Sequence, residues 1–187
     1  MSKHAVFLVT CTKAKGQRSR IKPVPAKELY LPSNLFAAAR RLVETTIACL
    51  KNEGIDGEWF IISAKHHLLP PDQPVSYYDK TLLNKSPAYR RKWSEIVASQ
   101  LQQWLQRVGW NIEDTEVIIL AGPTYSEFLI PLLCNLGLTV FDPFFTISGE
   151  GRWSTYHKRV AWMKRMLQAV QAGQCRWWQE VKYEACQ

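Results

Sequence analysis

Uninterrupted apolar runs that stop at polar or Gly-Pro segments, each followed by residues at helical spacing, are the feature that most constrains this chain. Ala5-Val6-Phe7-Leu8-Val9 is continuous and rich in β-branched and large side chains, as a strand buried on both faces requires. Trp59-Phe60-Ile61-Ile62, Glu116 to Gly122 and the short Leu138 to Phe141 read the same way. Between them lie helical patterns. One starts near Ser33, whose side chain can cap it, and carries Leu35, Ala38, Ala39, Leu42, Val43 and Thr46 toward Leu50. A longer one runs from about Ser86 or Pro87 to Val108, with Trp93, Ile96, Val97, Leu101, Trp104 and Leu105 on its apolar face. A third follows Gly122-Pro123-Thr124-Tyr125 and carries Phe128, Leu129, Leu132 and Leu133, and a last one covers about Ser154 to Ala172. The stretch from Ser63 to Asp79 reads as irregular and polar after its strand. This alternation predicts an α/β fold: a single-domain open, mostly parallel sheet with helices on both faces. The 187 residues suffice for one such domain, and residues 173–187 are open to being an appended element.

No apolar stretch reaches the about 20 residues that span a bilayer, and Pro131 and Asn135 break the best one. The start of the chain lacks the pattern of a secretory signal, so the expected compartment is the cytoplasm. Five cysteines, Cys11, Cys49, Cys134, Cys175 and Cys186, show no paired C-x-x-C spacing and are expected to be reduced thiols. His4 and His157 add no ligand spacing, so neither a metal nor a cofactor is expected. A formal charge of +8, from 24 Lys and Arg against 16 Asp and Glu, attracts polyanions, nucleic acid first among them. Eight tryptophans could stack on unpaired bases, although five or six are expected to be structural.

In open α/β sheets ligands bind beyond the carboxyl ends of the strands, so the residues that follow each strand carry the most information. After the first come Cys11, Lys13, Lys15, Arg18 and Arg20; Cys11 reads better as a small buried residue than as a nucleophile, and the lysines as anion contacts. The P-loop pattern is absent. After the second come Ser63, Lys65, His66 and His67, the richest titratable cluster, of which one histidine at most should face a ligand. Tyr77-Tyr78-Asp79 offers a carboxylate and a stacking ring, but Asp79 could equally cap a following short helix. Gly122 and Tyr125 after the third strand either form a pocket wall or lock a helix start. Arg90, Arg91 and Lys92 oppose the dipole of their own helix, which points to a neighbouring anion. Arg152-Trp153 and Arg176-Trp177-Trp178 pair cations with indoles, the latter more as packing than as a nucleic-acid contact.

Taken in order, Cys11-Thr12-Lys13-Ala14-Lys15, Leu29-Tyr30-x-x-Ser33-x-x-Phe36, Ser63-Ala64-Lys65-His66-His67-Leu68-Leu69-x-Pro71-Asp72, Tyr78-Asp79-x-Thr81-Leu82 and Ala121-Gly122-x-x-Tyr125 resemble a bacterial and phage family of small proteins of largely unknown function. That family is distantly similar to the DNA-binding YaaA proteins of peroxide stress and to domains of modified-base metabolism. His67 stands where the family usually has glycine, and a Trp-rich end replaces the usual carboxyl terminus. The resemblance implies a pocket facing nucleic acid, most simply DNA. The preferred expectation is a base-excising N-glycosylase acting on modified or foreign, including phage, DNA in antiviral defence. Asp79 would stabilise the sugar cation or activate water, with Lys65 and His66 as its catalytic partners. Cys11, Lys13, Lys15, Tyr30, Ser63, Tyr78, Gly122 and Tyr125 would bind substrate, and Arg18, Arg20, Arg90, Arg91, Lys92 and Arg152 would form the nucleic-acid surface. The alternatives are a non-enzymatic DNA-binding protein and a nucleotide or nucleoside hydrolase.

Overall fold

A computed structural model describes residues 3–146, 155–180 and 186. In chain order its elements are β1 (His4–Thr10), β2 (Val24–Pro25), α1 (Ala26–Leu29), α2 (Asn34–Asn52), β3 (Asp56–Ser63), β4 (His67–Leu69), β5 (Pro74–Val75), α3 (Pro87–Val108), β6 (Thr115–Leu120), α4 (Pro123–Ser126), α5 (Leu129–Asn135), β7 (Thr139–Phe141), α6 (Pro143–Thr146) and α7 (Tyr156–Gln171). The helix starts follow their caps. The Ser33 hydroxyl accepts from the Phe36 N–H at 3.4 Å, and the Ser86 hydroxyl accepts from the Tyr89 N–H at 3.2 Å with Pro87 in the first turn. Gly109, at φ 75°, ends α3 in the left-handed conformation that glycine adopts at least cost.

The five-stranded sheet has the order β4-β3-β1-β6-β7. β1 lies parallel to both β3 and β6, with His4 opposite Asp56 on one side and Thr115 on the other. A central strand paired on both edges and covered on both faces explains why Val6 to Val9 are completely buried. The chain steps from β1 to β3 in one direction and from β3 through β6 to β7 in the other. Right-handed crossovers therefore put α2 on one face and α3 with α5 on the opposite face, as the packing of α2 on α7 and of α3 on α5 bears out. Helices on both faces of an open sheet match the expected class.

Three features depart from expectation. The region after β3 is not wholly irregular: residues 64–66 turn the chain back so that β4 pairs antiparallel with β3, Ser63 opposite His67. Second, the cysteines are not all reduced. Cys49 is bonded to Cys175 and Cys134 to Cys186, leaving Cys11 as the buried free thiol. The partners are 126 and 52 residues apart, so no short spacing could announce them. Third, tryptophan is almost wholly core material. Trp59, Trp93, Trp162, Trp177 and Trp178 are buried and Trp104 and Trp110 pack against the core, while Trp153 lies outside the described residues. No described helix is long and apolar enough to cross a membrane.

Candidate functional site

The reversal of strand order falls at β1 and β6, and the crevice that such a reversal opens is where α/β sheets bind ligands. Cys11 leaves β1 on one side of it and Gly122 and Tyr125 follow β6 on the other. The Cys11 thiol meets the Tyr125 hydroxyl across the crevice, Sγ to Oη 3.4 Å. A small antiparallel ribbon builds the roof. β2 pairs with β5, Val24 opposite Val75, and the Tyr77 N–H donates to the Ser19 carbonyl at 2.9 Å. This ribbon draws the loop after β1 together with the Tyr77-Tyr78-Asp79 segment, although about 60 residues separate them in the chain.

Beneath the ribbon is a buried polar chain. The Ser63 hydroxyl accepts the N–H groups of Lys65 and His66 at 3.2 and 3.0 Å. With both lone pairs used, its hydrogen is left for the Tyr78 oxygen at 2.8 Å, and the Tyr78 hydrogen for Tyr30 at 2.5 Å. Trp93 of α3 locks the end of β3 by donating from Nε1 to the Ser63 carbonyl at 2.9 Å, and its ring stands edge-on to Tyr125. Lys15 is only 8 % exposed and lays its ammonium on the Tyr78 ring, 4.6 Å from the centroid. Burial pushes the Lys15 pKa down, opposed by Cys11 and by the Asp79 carboxylate. The Cys11 thiol is pushed up by burial, which outweighs hydrogen bonding from Tyr125 and the Ala64 backbone and the charge of Lys15. Cys11 is therefore a neutral thiol at neutral pH, in keeping with its reading as a buried small residue rather than a nucleophile.

The accessible rim is different in character. Lys13, Lys65 and Asp79 are exposed and His66 is half-buried, its ring edge-on to Tyr78 at 5.2 Å with the Lys65 ammonium over the same ring at 5.5 Å. Burial lowers the His66 pKa, and the charges of Lys65 and Lys80, with His67 when protonated, lower it further, so the imidazole is neutral at pH 7. Its Nε2 is buried without a hydrogen-bond partner among the described residues. No helix begins directly behind Asp79; the next helix, α3, is capped by Ser86 instead, which leaves the exposed carboxylate uncommitted to a cap.

Among the sequence-derived candidates, the structure thus gathers Cys11, Lys15, Tyr30, Ser63, Lys65, His66, Tyr78, Asp79 and Tyr125. Arg90 is held elsewhere. Its guanidinium bridges to Glu127 at 2.7 Å, the anion that opposes the unfavourable helix-dipole position. Arg91 lies over the Phe128 ring and Lys92 pairs with Glu95. Arg20 stacks on Tyr77 at 3.7 Å, while Arg18 is exposed on the same turn. Arg152 lies outside the described residues. Gly122 is a close-approach position: a Cβ there would come within 3.1 Å of Arg159 Nη1. The sequence reading assigns no individual role to Thr81, Asp142 or Arg159, although Thr81 falls within the Tyr78-Asp79-x-Thr81-Leu82 motif and Asp142 opens the segment after the fourth strand. The Thr81 side chain and the Leu82 backbone hydrogen-bond Tyr125. Asp142, at the end of β7, is pushed up to about 7 by burial, against the Phe145 N–H and the charge of Arg159. Its place directly after a strand was the available signal. Among the described residues no three His, Cys, Asp or Glu side chains gather as a metal site.

His67 stands in a backbone conformation that favours glycine. It has φ 59° and is a non-glycine residue in the left-handed region, imposed by the tight β3–β4 reversal. Such a backbone costs an L-residue roughly 1–2 kcal/mol, so His67→Gly should stabilise the protein by about 1 kcal/mol, readable as a higher urea midpoint at unchanged slope. An unchanged or lower midpoint would mean that the His67 side chain compensates the backbone through contacts such as its stacking toward Trp93, 6.4 Å away.

No curated protein matches the chain, and neither does any solved structure. A protein-family model does match, over residues 6–159, which spans β1 to the start of α7 and so every described candidate of the site. The chain belongs to that family, DUF6884, a family of unknown function.

Proposed function

We propose that this protein acts on a base of nucleic acid, DNA in the first place, by hydrolysing an N-glycosidic bond at the rim formed by Lys65, His66 and Asp79. The observation that carries this reading is that the exposed Asp79 carboxylate and a neutral imidazole, His66, both neighbour Tyr78 beside the topological switch point, with the ammonium groups of Lys15 and Lys65 over the same ring. Water adds its oxygen to C1′ while the C1′–N bond breaks and its electron pair leaves with the base. Asp79 takes the proton from water or faces the positive charge that grows on the sugar, and the Lys65 ammonium and the exposed part of the His66 ring meet the departing base, which takes its proton from solvent. The buried Tyr30, Ser63 and Tyr78 position the rim and do not themselves reach solvent. A nucleic-acid substrate, with modified phage DNA the first example, fits a cytoplasmic setting.

A second reading, binding to DNA without chemistry, is favoured by one observation: Cys11, Tyr30, Ser63, Tyr78 and Tyr125 are all closed off from solvent, so no open slot for a base lies beneath the rim. Incubation of the wild type and Asp79→Asn with ordinary DNA, phage DNA carrying modified bases, and RNA separates the two. Free base detected by mass spectrometry, falling at least about 100-fold in the variant, supports the hydrolase. Salt-sensitive binding with no base released from any polymer supports the binder.

A further inference from the structure

The two most exposed large apolar side chains among the described residues are Ile21, at 89 %, and Leu83, at 72 %. Single exposed aliphatic residues are ordinary on a protein surface. These two share an unusual setting. Each sits at the tip of a hydrogen-bonded turn anchored by a buried neighbour, and each is surrounded by cations. Ile21 closes the short 3-10 turn of residues Gln17–Arg20, its N–H donating to the Arg18 carbonyl at 3.1 Å, while the buried Ser19 donates its hydroxyl to the Gly16 carbonyl at 2.6 Å. Arg18, Arg20 and Lys22 flank it. Leu83 follows the fully buried Leu82; its N–H donates to the Thr81 hydroxyl at 3.2 Å, and the Lys85 N–H closes the turn on the Leu82 carbonyl at 3.0 Å. Lys80 and Lys85 stand beside it with their ammonium groups over Tyr89.

None of these five cations has a carboxylate partner within ion-pair distance among the described residues, whereas Arg90 and Lys92 do. The two turns bracket the Tyr77-Tyr78-Asp79 segment: the first is tied to it by the Tyr77 N–H on the Ser19 carbonyl, and the second continues from it. Apolar tips held by hydrogen-bonded turns, in a field of cations without carboxylate partners among the described residues, suit a polyanion that has an apolar interior reached between its charges. A duplex of stacked base pairs lined by phosphates has that chemistry.

We propose that Ile21 and Leu83 are wedges that enter the base stack of duplex DNA on either side of the rim, while Arg18, Arg20, Lys22, Lys80 and Lys85 hold the phosphates. The proposal rests on the reading that the rim receives a base, and it supplies the step that presents one, since a base inside a duplex must be unstacked before it can be reached.

The test uses a short DNA duplex with one 2-aminopurine, whose emission is quenched by stacking, and follows binding in parallel by anisotropy of an end label. The full-length wild type should bind and raise the emission several-fold. Leu83→Ala and Ile21→Ala, both at exposed sites with every cation kept, should bind within a factor of a few of wild type and lose most of the rise. Bound wild type with no rise overturns the proposal, as does a rise that survives in both variants and in the double variant. Binding to the single strand but not the duplex overturns it too, in favour of a single-strand surface. Because the readout needs no base release, a wild type that unstacks 2-aminopurine yet frees no base from any polymer removes the hydrolase reading and leaves the wedges standing.

Discussion

Trp178→Ala should cost about 4 kcal/mol of stability, the range seen when a large aromatic is removed from a well-packed core. Trp178 is almost fully buried against Phe7 of the central strand, ring centroids 5.4 Å apart, and against Trp177 at 5.6 Å. Its indole N–H also donates to Glu116 Oε2 at 2.8 Å, while Gln179 holds the other carboxylate oxygen at 3.0 Å. Glu116 is itself buried at the start of β6, so the substitution opens a cavity and strips a buried carboxylate of one of its two donors. Trp178→Phe separates the two effects: it keeps most of the volume, loses the donor, and should cost about 1–2 kcal/mol. Urea unfolding of both variants reads the difference. A loss below about 1 kcal/mol for Trp178→Ala would mean that residues 173–180 are not integral to the folded domain.

Removing the Cys49–Cys175 bridge, by reduction or by the double alanine variant, should cost about 2–5 kcal/mol, because it closes a loop of 126 residues in the unfolded chain. The bridge ties the last turn of α2 to the segment just after α7, the two helices that pack together on one face of the sheet. Trp177, next to that segment, donates its indole N–H to the Thr46 hydroxyl of α2 at 2.9 Å. The bridge and this hydrogen bond therefore hold the same junction, and their losses should not simply add. Thiol titration after unfolding in the absence of reductant checks the premise directly: one reactive thiol, Cys11, is expected from a chain of five cysteines. Five reactive thiols would place the protein in its reduced form and restore the expectation drawn from cysteine spacing.

The two core predictions each involve a residue beyond the family match, Trp178 and Cys175, bound to partners within it, Glu116 and Cys49. Trp177 and Trp178 complete the core under β1, and the sheet order places the rim beyond the carboxyl ends of the strands.

Much of the scaffold was legible in the amino-acid sequence, because local signals and tertiary outcome agree there. Apolar runs without alternation can be stable only as strands covered on both faces, Ser33 and Ser86 satisfy the first free N–H groups of their helices, and Gly109 turns left-handed where α3 must stop. The candidate rim was legible only as separate loops. Lys15, Ser63, Tyr78 and Tyr125 follow or precede different strands, and nothing in their spacing states that one hydroxyl chain and one crevice unite them. That was decided by the strand order and by the β2–β5 ribbon, both products of non-local pairing. The same reason accounts for the disulfides and for Arg90, whose partner Glu127 lies on the far side of an intervening strand in sequence. Periodicity and capping act over a few residues, so the sequence by itself determined the long helices and the buried parallel strands; the β4 return, which side chains meet, and which cations are left without a carboxylate partner among the described residues depended on contacts that exist only once the sheet has closed between its helices.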